Sequence, residues 1–169
     1  MKREEITEIC EREVLETAAR LFGTSKNSLS KTEDSEGCAN LVYEYQRNGQ
    51  ARMLRITYRP ERPVAVVQAE LHFVNYLAEN GVRVSRPVPS ENGNLLEVIP
   101  AEGIPYIVAS FVKGRGMRMP DNGYRYRVGA PMEEYFQNWG HALGQMHRLT
   151  KSYQPLSNAI RRPAWFDWE

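Results

Sequence analysis

The spacing of apolar positions in the first third of the chain predicts a helix followed by a β-hairpin. Between Glu4 and Phe22, apolar residues recur every three or four positions, which is the period of a helix with one buried face. Gly23 is suited to end that helix. Two runs rich in β-branched and aromatic residues, 41–46 and 53–58, are separated by Asn48-Gly49. An Asn-Gly pair between two such runs predicts a hairpin.

The rest of the chain predicts one more pair of strands and two more helices. Pro63 can open a helix. Residues 113–130 hold four glycines and five Lys or Arg residues with little periodicity, which predicts a loop. Antiparallel strands with one inserted helix make an α+β domain. We therefore predict an α+β fold in which one helix packs on a five-stranded antiparallel sheet. The further elements are a short strand at 28–31, a helix from Val64 to Glu79, strands at 94–99 and 104–111, and a helix at 132–149.

Composition and charge exclude several classes of protein. With 41% hydrophobic and 25% charged residues, the chain has the composition of a globular protein, and its net charge of +1 indicates neither a nucleic acid nor a membrane as partner. Its two cysteines are too few for a disulfide framework and fit a reducing compartment. The first ten residues are too charged for a signal peptide, and no apolar run approaches membrane-spanning length. We expect a cytoplasmic protein.

One strand cation and one helix carboxylate form the first candidate for a functional pair. On a helical wheel, Glu70 falls on the flank of the apolar stripe of the 64–79 helix, where a carboxylate is costly unless a cation meets it. Arg55 lies in the middle of the preceding strand, on the face opposite Leu54 and Ile56. Kinases use such a pair to hold the phosphates of ATP. The alternatives are a purely structural ion pair, or a Glu70 that leans out to water.

Six short motifs in this order resemble the N-terminal lobe of the aminoglycoside phosphotransferase and choline kinase-like family. The family fold is similar to that of protein kinases, so the resemblance implies a kinase-like N-lobe with an added N-terminal helix. It also implies that the last predicted helix begins the second lobe. The resemblance runs from about Ser28 to Thr150. The motifs are 36–43, 53–57, 68–70 with 76–82, 84–89, 106–114 and 143–150.

The resemblance implies roles for individual residues around ATP. Arg55 takes the place of the strand lysine that contacts phosphates, and Glu70 is its partner. The loop over the phosphates is implied to include Ser35, Glu36, Gly37 and Asn40. The hinge, whose backbone meets the adenine edge, is implied to be Ser110, Phe111 and Val112. The apolar side chains that sandwich the adenine ring are implied to be Val42, Met53 and Ile107.

The chemistry that the family places in its second lobe has no counterpart in this sequence. That lobe carries an H-G-D type loop with an Asp base, a downstream Asn and a further Asp that holds Mg²⁺. The histidines here, His72, His141 and His147, are followed by Phe, Ala and Arg, and no Asp has an Asn five residues on. We therefore predict no catalytic residue and no metal ligand, and expect Mg²⁺ only with a complete second lobe. Alone, the chain is expected not to turn over.

We divide the chain into a kinase-like lobe at 1–112 with its N-terminal helix at 1–23, a basic loop at 113–131, and the start of a truncated second lobe at 132–169. Three large aromatic residues lie in the last five positions, where nothing follows for them to pack against. A lobe separated from its partner exposes apolar surface. We therefore expect self-association through the surface that should face the second lobe.

Three functions remain open at this point. The first is the nucleotide-binding lobe of an ATP-dependent small-molecule phosphotransferase, inactive alone. The second is a non-catalytic kinase-like binding module for nucleotide or a partner protein. The third is a small nucleic-acid-binding protein that uses the basic loop at 113–127 and its tyrosines, which the near-neutral net charge disfavours. The sequence does not identify a phosphate acceptor.

Overall fold

The computed structural model describes residues 3–32, 40–58, 63–115, 126 and 128–157. The first helix, α1 (residues 3–21), contains a π-helical segment, Cys10–Val14, between two α-helical segments. After a 3₁₀ turn at Lys26–Ser28, the remaining elements follow in chain order. They are β1 (Ser30–Lys31), β2 (Asn40–Arg47), β3 (Gln50–Thr57), α2 (Val64–Glu79), β4 (Pro87–Val88), β5 (Glu97–Ala101), β6 (Ile104–Val112) and α3 (Met132–Thr150).

The strands form one antiparallel sheet in the order β1-β2-β3-β6-β4, and β5 also pairs with β6. The α+β fold is confirmed, but the sheet has six strands rather than the predicted five. The additional strand is β4, which pairs with Ser110 and Phe111 beside β5 on the same side of β6. A two-residue strand that begins with proline has no alternating pattern, so periodicity could not reveal it.

The predicted hairpin is confirmed. Asn48 and Gly49 both have positive φ, 52° and 71°, as a two-residue turn with the twist of its flanking strands requires. In the resulting register Val42 lies opposite Arg55. The strand predicted at 94–99 is displaced to Glu97–Ala101, because a turn precedes it in which the Ser90 hydroxyl donates to the Glu97 carboxylate at 2.6 Å.

The two faces of the sheet carry separate cores. α1 covers one face, where buried side chains of α1, β2, β3, β5 and β6 form the larger cluster, among them Phe22, Leu41, Tyr45, Leu54 and Ile56. α2 covers part of the other face with a smaller cluster of Val67, Leu71, Ile107 and Ala109. The rest of this second face stays accessible. Within the described ranges, no helix is long and apolar enough to span a membrane.

Gly23 joins α1 to the sheet at a crowded position, and replacing it by alanine is expected to destabilise the fold. Its φ is +69°, and an added Cβ would lie 2.6 Å from the guanidinium carbon of Arg47 and from Oε1 of Glu91, which form an ion pair. We expect Gly23→Ala to lower the free energy of unfolding by about 2 kcal/mol, most of it from the positive φ, because the atoms in the way are the ends of the flexible Arg47 and Glu91 side chains. Gly93→Ala is the matched control, because Gly93 has φ +83° with open space around it. Equal losses in urea titrations of both variants would show that the crowding around Gly23 is harmless.

Candidate functional site

The predicted pair of Arg55 and Glu70 is present on the accessible face of the sheet. Strand alternation directs Arg55 away from the larger core, and the period of α2 brings Glu70 over β3. Arg55 Nη1 donates to Glu70 Oε1 at 2.7 Å, and each side chain is 19% exposed. The pair is thus partly buried, as predicted, and each charge has its compensating partner.

Arg55 keeps hydrogen-bonding capacity that no described residue uses. Its Nε and Nη2 are buried and have no acceptor within the described part of the chain. The Phe111 ring lies under the guanidinium, with the guanidinium carbon 4.9 Å from the ring centroid. A buried donor without an acceptor costs about 1–3 kcal/mol. The guanidinium is therefore held between Glu70 and Phe111 with two donors suited to an additional anion.

The strands beside Arg55 carry the apolar side chains that were predicted to sandwich a ring. Val42 and Met53 are partly exposed on the same face as Arg55. Ile107 is on this face too, but it is only 2% exposed because Val67 and Leu71 of α2 cover it. The structure thus brings Val42 and Met53 to the accessible surface and assigns Ile107 to the core beneath α2. Phe111 was predicted to contribute only its backbone, but its side chain joins the accessible group.

The predicted hinge, Ser110 to Val112, lies inside the sheet. The backbones of Ser110 and Phe111 pair with β3 on one side and with β4 on the other. The Val112 amide donates to Arg86 O at 2.9 Å. The side chain of Ser110 points to the opposite face, where its hydroxyl is 2.7 Å from Tyr45 Oη. Chain beyond the sheet therefore begins only after Val112.

Ser110→Ala is expected to affect stability and not ligand binding at the accessible face. Removing the Ser110 hydroxyl leaves the buried Tyr45 hydroxyl without this partner, which should lower the free energy of unfolding by about 1–2 kcal/mol. Adding Tyr45→Phe to that variant removes the unpaired group and should recover part of the loss. Urea titrations of the single and double variants measure both effects. A Ser110→Ala variant as stable as the parent would contradict the expectation.

An ion pair at the far end of the accessible face was not anticipated from the sequence. Lys113 Nζ donates to Glu44 Oε2 at 2.5 Å, and Glu44 lies opposite Met53 in the hairpin. Beside this pair, a pocket of about 260 Å³ is lined by Gln50, Ala51, Val112, Lys113, Gly114 and Arg115. Alternation indicated the face of Glu44, but 69 residues separate it from Lys113, so spacing could not join them.

The predicted phosphate loop lies mostly outside the described residues. Ser35, Glu36 and Gly37 belong to the part that is not described, whereas Asn40 begins β2. The Asn40 side-chain oxygen accepts a hydrogen bond from the buried Thr57 hydroxyl at 2.7 Å. The chain therefore enters the sheet at Asn40. The Asn40–Thr57 pair lies two residues along β2 and β3 from the Val42–Arg55 pair, on the same face of the sheet.

Acidic groups for a metal ion are not assembled in the described ranges. Among those residues there is no cluster of three or more His, Cys, Asp or Glu side chains that could hold one. The three aspartates of the sequence, Asp34, Asp121 and Asp167, lie outside the described residues.

The helix α3 presents an apolar stripe to solvent. Phe136, Trp139 and Leu143, which are spaced by three and four residues, are 47%, 52% and 38% exposed. The ring of Tyr126 approaches those of Tyr135 and Phe136 at 6.2 Å. The aromatic residues predicted to extend this surface at 165–168 lie outside the described residues.

Comparison with known proteins agrees with the fold. A family model described as Phosphotransferase enzyme family matches residues 32–169. Amicoumacin kinase of Bacillus subtilis (strain 168) is 31% identical over 160 residues, which are 94% of this chain and 45% of that protein. Homoserine kinase of Cupriavidus necator is 25% identical over 128 residues, which are 76% of this chain and 35% of that protein.

Two solved structures are also similar. An amicoumacin kinase in complex with AMP-PNP, Ca²⁺ and Ami has a TM-score of 0.81 and 27% identity, covering 100% of this chain and 48% of its own. A microcompartment-associated aminopropanol kinase, at a TM-score of 0.66 and 18% identity over 89% of this chain and 43% of its own, shares the fold. The chain thus spans less than half the length of each of these relatives.

Proposed function

Because the chain belongs to the phosphotransferase enzyme family, we propose that it is the nucleotide-binding part of an ATP-dependent phosphotransferase that acts on a small molecule. The similar proteins are named as kinases of amicoumacin, homoserine and aminopropanol. One of them was solved with AMP-PNP and Ca²⁺. These relatives support a small-molecule kinase and leave the phosphate acceptor of this chain open.

The observation that carries the proposal is that Arg55 is held in place and still has unused hydrogen-bond donors. Its guanidinium is fixed by Glu70 and Phe111, yet Nε and Nη2 are buried without an acceptor in the described part of the chain. Two donors on one planar group match two oxygens of a phosphate group. A bound ATP would supply the transferable phosphoryl group, and Arg55 would hold its phosphates. Ser35, Glu36, Gly37 and Asn40 are proposed to complete the phosphate side.

The other end of the same face suits a base. Val42 lies opposite Arg55 on β2, Met53 is two residues from Arg55 along β3, and Phe111 lies opposite Met53 on β6. Their side chains offer apolar surface next to Arg55. Since Ser110 to Val112 are paired within the sheet, we propose that the adenine edge meets the chain just beyond it, at the pocket lined by Lys113 and Arg115. Glu44 and Lys113 would then bound the base on its outer side.

Calorimetric titration of the chain with ATP, ADP and adenosine tests the proposal. Because Arg55 contributes charge-assisted hydrogen bonds, affinity should fall by roughly tenfold or more from the nucleotides to adenosine. GTP at the same concentration serves as the control for base recognition. Adenosine binding as tight as ATP, or no heat with ATP at millimolar concentration, would contradict the proposal.

We also propose that the chain does not transfer phosphate by itself, in line with the absence of an H-G-D type loop from its sequence. With ATP, Mg²⁺ and a panel of aminoglycosides, choline and homoserine, no product is expected. ATP binding without turnover fits both a nucleotide-binding part and a non-catalytic binding module. Turnover that persists through repurification and scales with protein concentration would show that the catalytic groups were misassigned.

A nucleic-acid-binding function is a weaker second candidate. Of its basic loop, Lys113 is paired with Glu44, and Tyr126 contacts the rings of α3. These contacts reduce the charge and the aromatic surface available for stacking a base. Binding to oligonucleotides that weakens steeply with salt, together with indifference to ATP, would favour this candidate over the phosphotransferase.

We propose that the apolar stripe of α3 makes the chain self-associate. Phe136, Trp139 and Leu143 are the exposed contributors. Light scattering should report species larger than a monomer as concentration rises, and Trp139→Ser should shift the distribution toward the monomer. A monomeric parent at high concentration would contradict this expectation.

A further inference from the structure

The helix that carries Glu70 is held from two opposite sides. On the inner side, Val67 and Leu71 pack on the sheet, and Glu70 meets Arg55. At about 100° per residue, His72 and Tyr76 project on the opposite side of α2. That outer side contacts the segment that follows α3.

The outer contacts converge on Tyr153. Its ring centroid lies 5.6 Å from that of His72, 4.9 Å from that of Phe73 and 5.2 Å from that of Tyr76. Its hydroxyl is 2.8 Å from His72 Nδ1. In addition, the Tyr76 hydroxyl donates to Leu149 O, near the end of α3, at 3.1 Å. The Tyr76 hydroxyl also lies 3.2 Å from the Ser152 hydroxyl. Three aromatic contacts and three hydrogen bonds thus join α2 to the end of α3 and the segment after it.

These outer contacts bear on the site because α2 has a small inner core. Among the described residues, the cluster between α2 and the sheet has four buried members with four partly buried side chains packed against it, whereas the core on the other face has seventeen buried members. His72 is two residues from Glu70 on one rigid helix. A displacement of the outer side of α2 is therefore transmitted to the carboxylate that orients Arg55.

We propose that Tyr153 is a positioning residue, which holds α2 against the sheet from outside and so keeps Glu70 at Arg55. The segment after α3 thereby becomes part of the support of the site, although it does not touch Arg55. An effect on nucleotide affinity rests on the function proposed above, but the effect on the ion pair does not. The test is accordingly made first on the ion pair.

A double-mutant cycle measures the ion pair without any ligand. Arg55→Met, Glu70→Gln and the combined variant are made in the parent, in Tyr153→Ala and in Tyr153→Phe, and unfolding is followed in urea. The coupling between Arg55 and Glu70, expressed as a ratio of unfolding constants, should be about tenfold in the parent. It should fall below about threefold in Tyr153→Ala and stay near the parent value in Tyr153→Phe, which keeps the ring.

Tyr135→Ala is the matched control, because it removes a partly exposed tyrosine of α3 whose ring contacts are with Tyr126, Phe136 and Trp139. The coupling should be unchanged there. A coupling in Tyr153→Ala within about twofold of the parent, or no coupling in the parent, would overturn the proposal.

Hydrogen exchange on the single variant Tyr153→Ala gives a second reading, which applies even if the combined variants do not fold. Amides in the second half of α2 should exchange at least about tenfold faster than in the parent, with the β2–β3 hairpin unchanged. Unchanged exchange in α2 would overturn the proposal. If the parent binds ATP, Tyr153→Ala should also lower the affinity for ATP. If the parent does not bind ATP, the result on the ion pair is still valid.

Discussion

Arg55→Met is expected to weaken ATP binding by roughly a hundredfold or more, because two charge-assisted hydrogen bonds of about 1.5–3 kcal/mol each are lost. Arg55→Lys keeps the charge but lacks the planar fork, so an intermediate loss is expected. Glu70→Gln keeps the phosphate contacts and only loosens Arg55, which should cost about tenfold. Calorimetry under the conditions used for the parent measures all three.

Arg52→Met is the control for Arg55→Met. Arg52 lies on the same strand but pairs with Tyr45, on the face that α1 covers, so its loss should leave ATP affinity unchanged. Equal losses in Arg52→Met and Arg55→Met would indicate a general electrostatic effect rather than a site.

Glu70→Ala and Glu70→Gln should also lower the free energy of unfolding by about 2 kcal/mol, between the values for exposed and buried pairs. Free energies of unfolding within about 0.5 kcal/mol of the parent value would mean that the pair does not stabilise the fold.

Above pH 9 the protein is expected to lose stability steeply. Burial raises the pKa of the Cys10 thiol from 9.0 to about 12, and the nearby Glu11 carboxylate adds to the rise. The folded state thus keeps the Cys10 proton that the unfolded chain releases. Stability is full below pH 9 and falls as the pH rises toward 12, by roughly 4 kcal/mol over the whole interval.

Two tyrosines act in the same direction. Burial raises the pKa of Tyr106 from 10.0 to about 12, and its hydroxyl donates to Ile6 O at 3.1 Å. Burial also raises the pKa of Tyr43. Both side chains favour the protonated form in the folded state. Their contribution to stability is therefore present below pH 10 and lost above it.

Urea titrations between pH 7 and pH 11 measure this loss, and two variants of the larger core identify its source. Cys10→Ala removes the thiol, so its free energy of unfolding should fall less steeply with pH between 9 and 11. Val14→Ala makes a comparable cavity in the same cluster but keeps the thiol. It should be less stable than the parent at every pH, with an unchanged slope. Parallel curves for Cys10→Ala and the parent would contradict the assignment to Cys10.

Local patterns predicted the elements that position the site. The Asn48-Gly49 turn fixed the register of the hairpin, and the helical period fixed the side of α2 that carries Glu70. Strand alternation and the helical period suggested Arg55 and Glu70 as a pair but left open a Glu70 that leans out to water, and the structure shows the ion pair. Their proposed roles toward a nucleotide stay predictions.

Features that depend on distant register were not predictable in the same way. Ser110 was assigned to a hinge by resemblance, but its pairing with Leu54 and Val88 is set by strands 56 and 22 residues away (110 − 54 and 110 − 88). The same is true of Glu44 with Lys113, and of Ile107 beneath α2. Alternation within one strand reveals its two faces, but not which of them another element covers.

The two-residue strands at the ends of the sheet bear on the proposed self-association of this chain. β1 and β4 are too short to act as templates for a foreign strand, and Pro87 has no amide hydrogen to donate. The longer edge strand β5, beside β4, contains Pro100, which also has no amide hydrogen to donate. Extension of the sheet by strand addition, which leads to fibrous aggregates, is therefore disfavoured at these edges. Association of the chain should therefore proceed through side chains of α3, and yield small, reversible oligomers that dilution disperses.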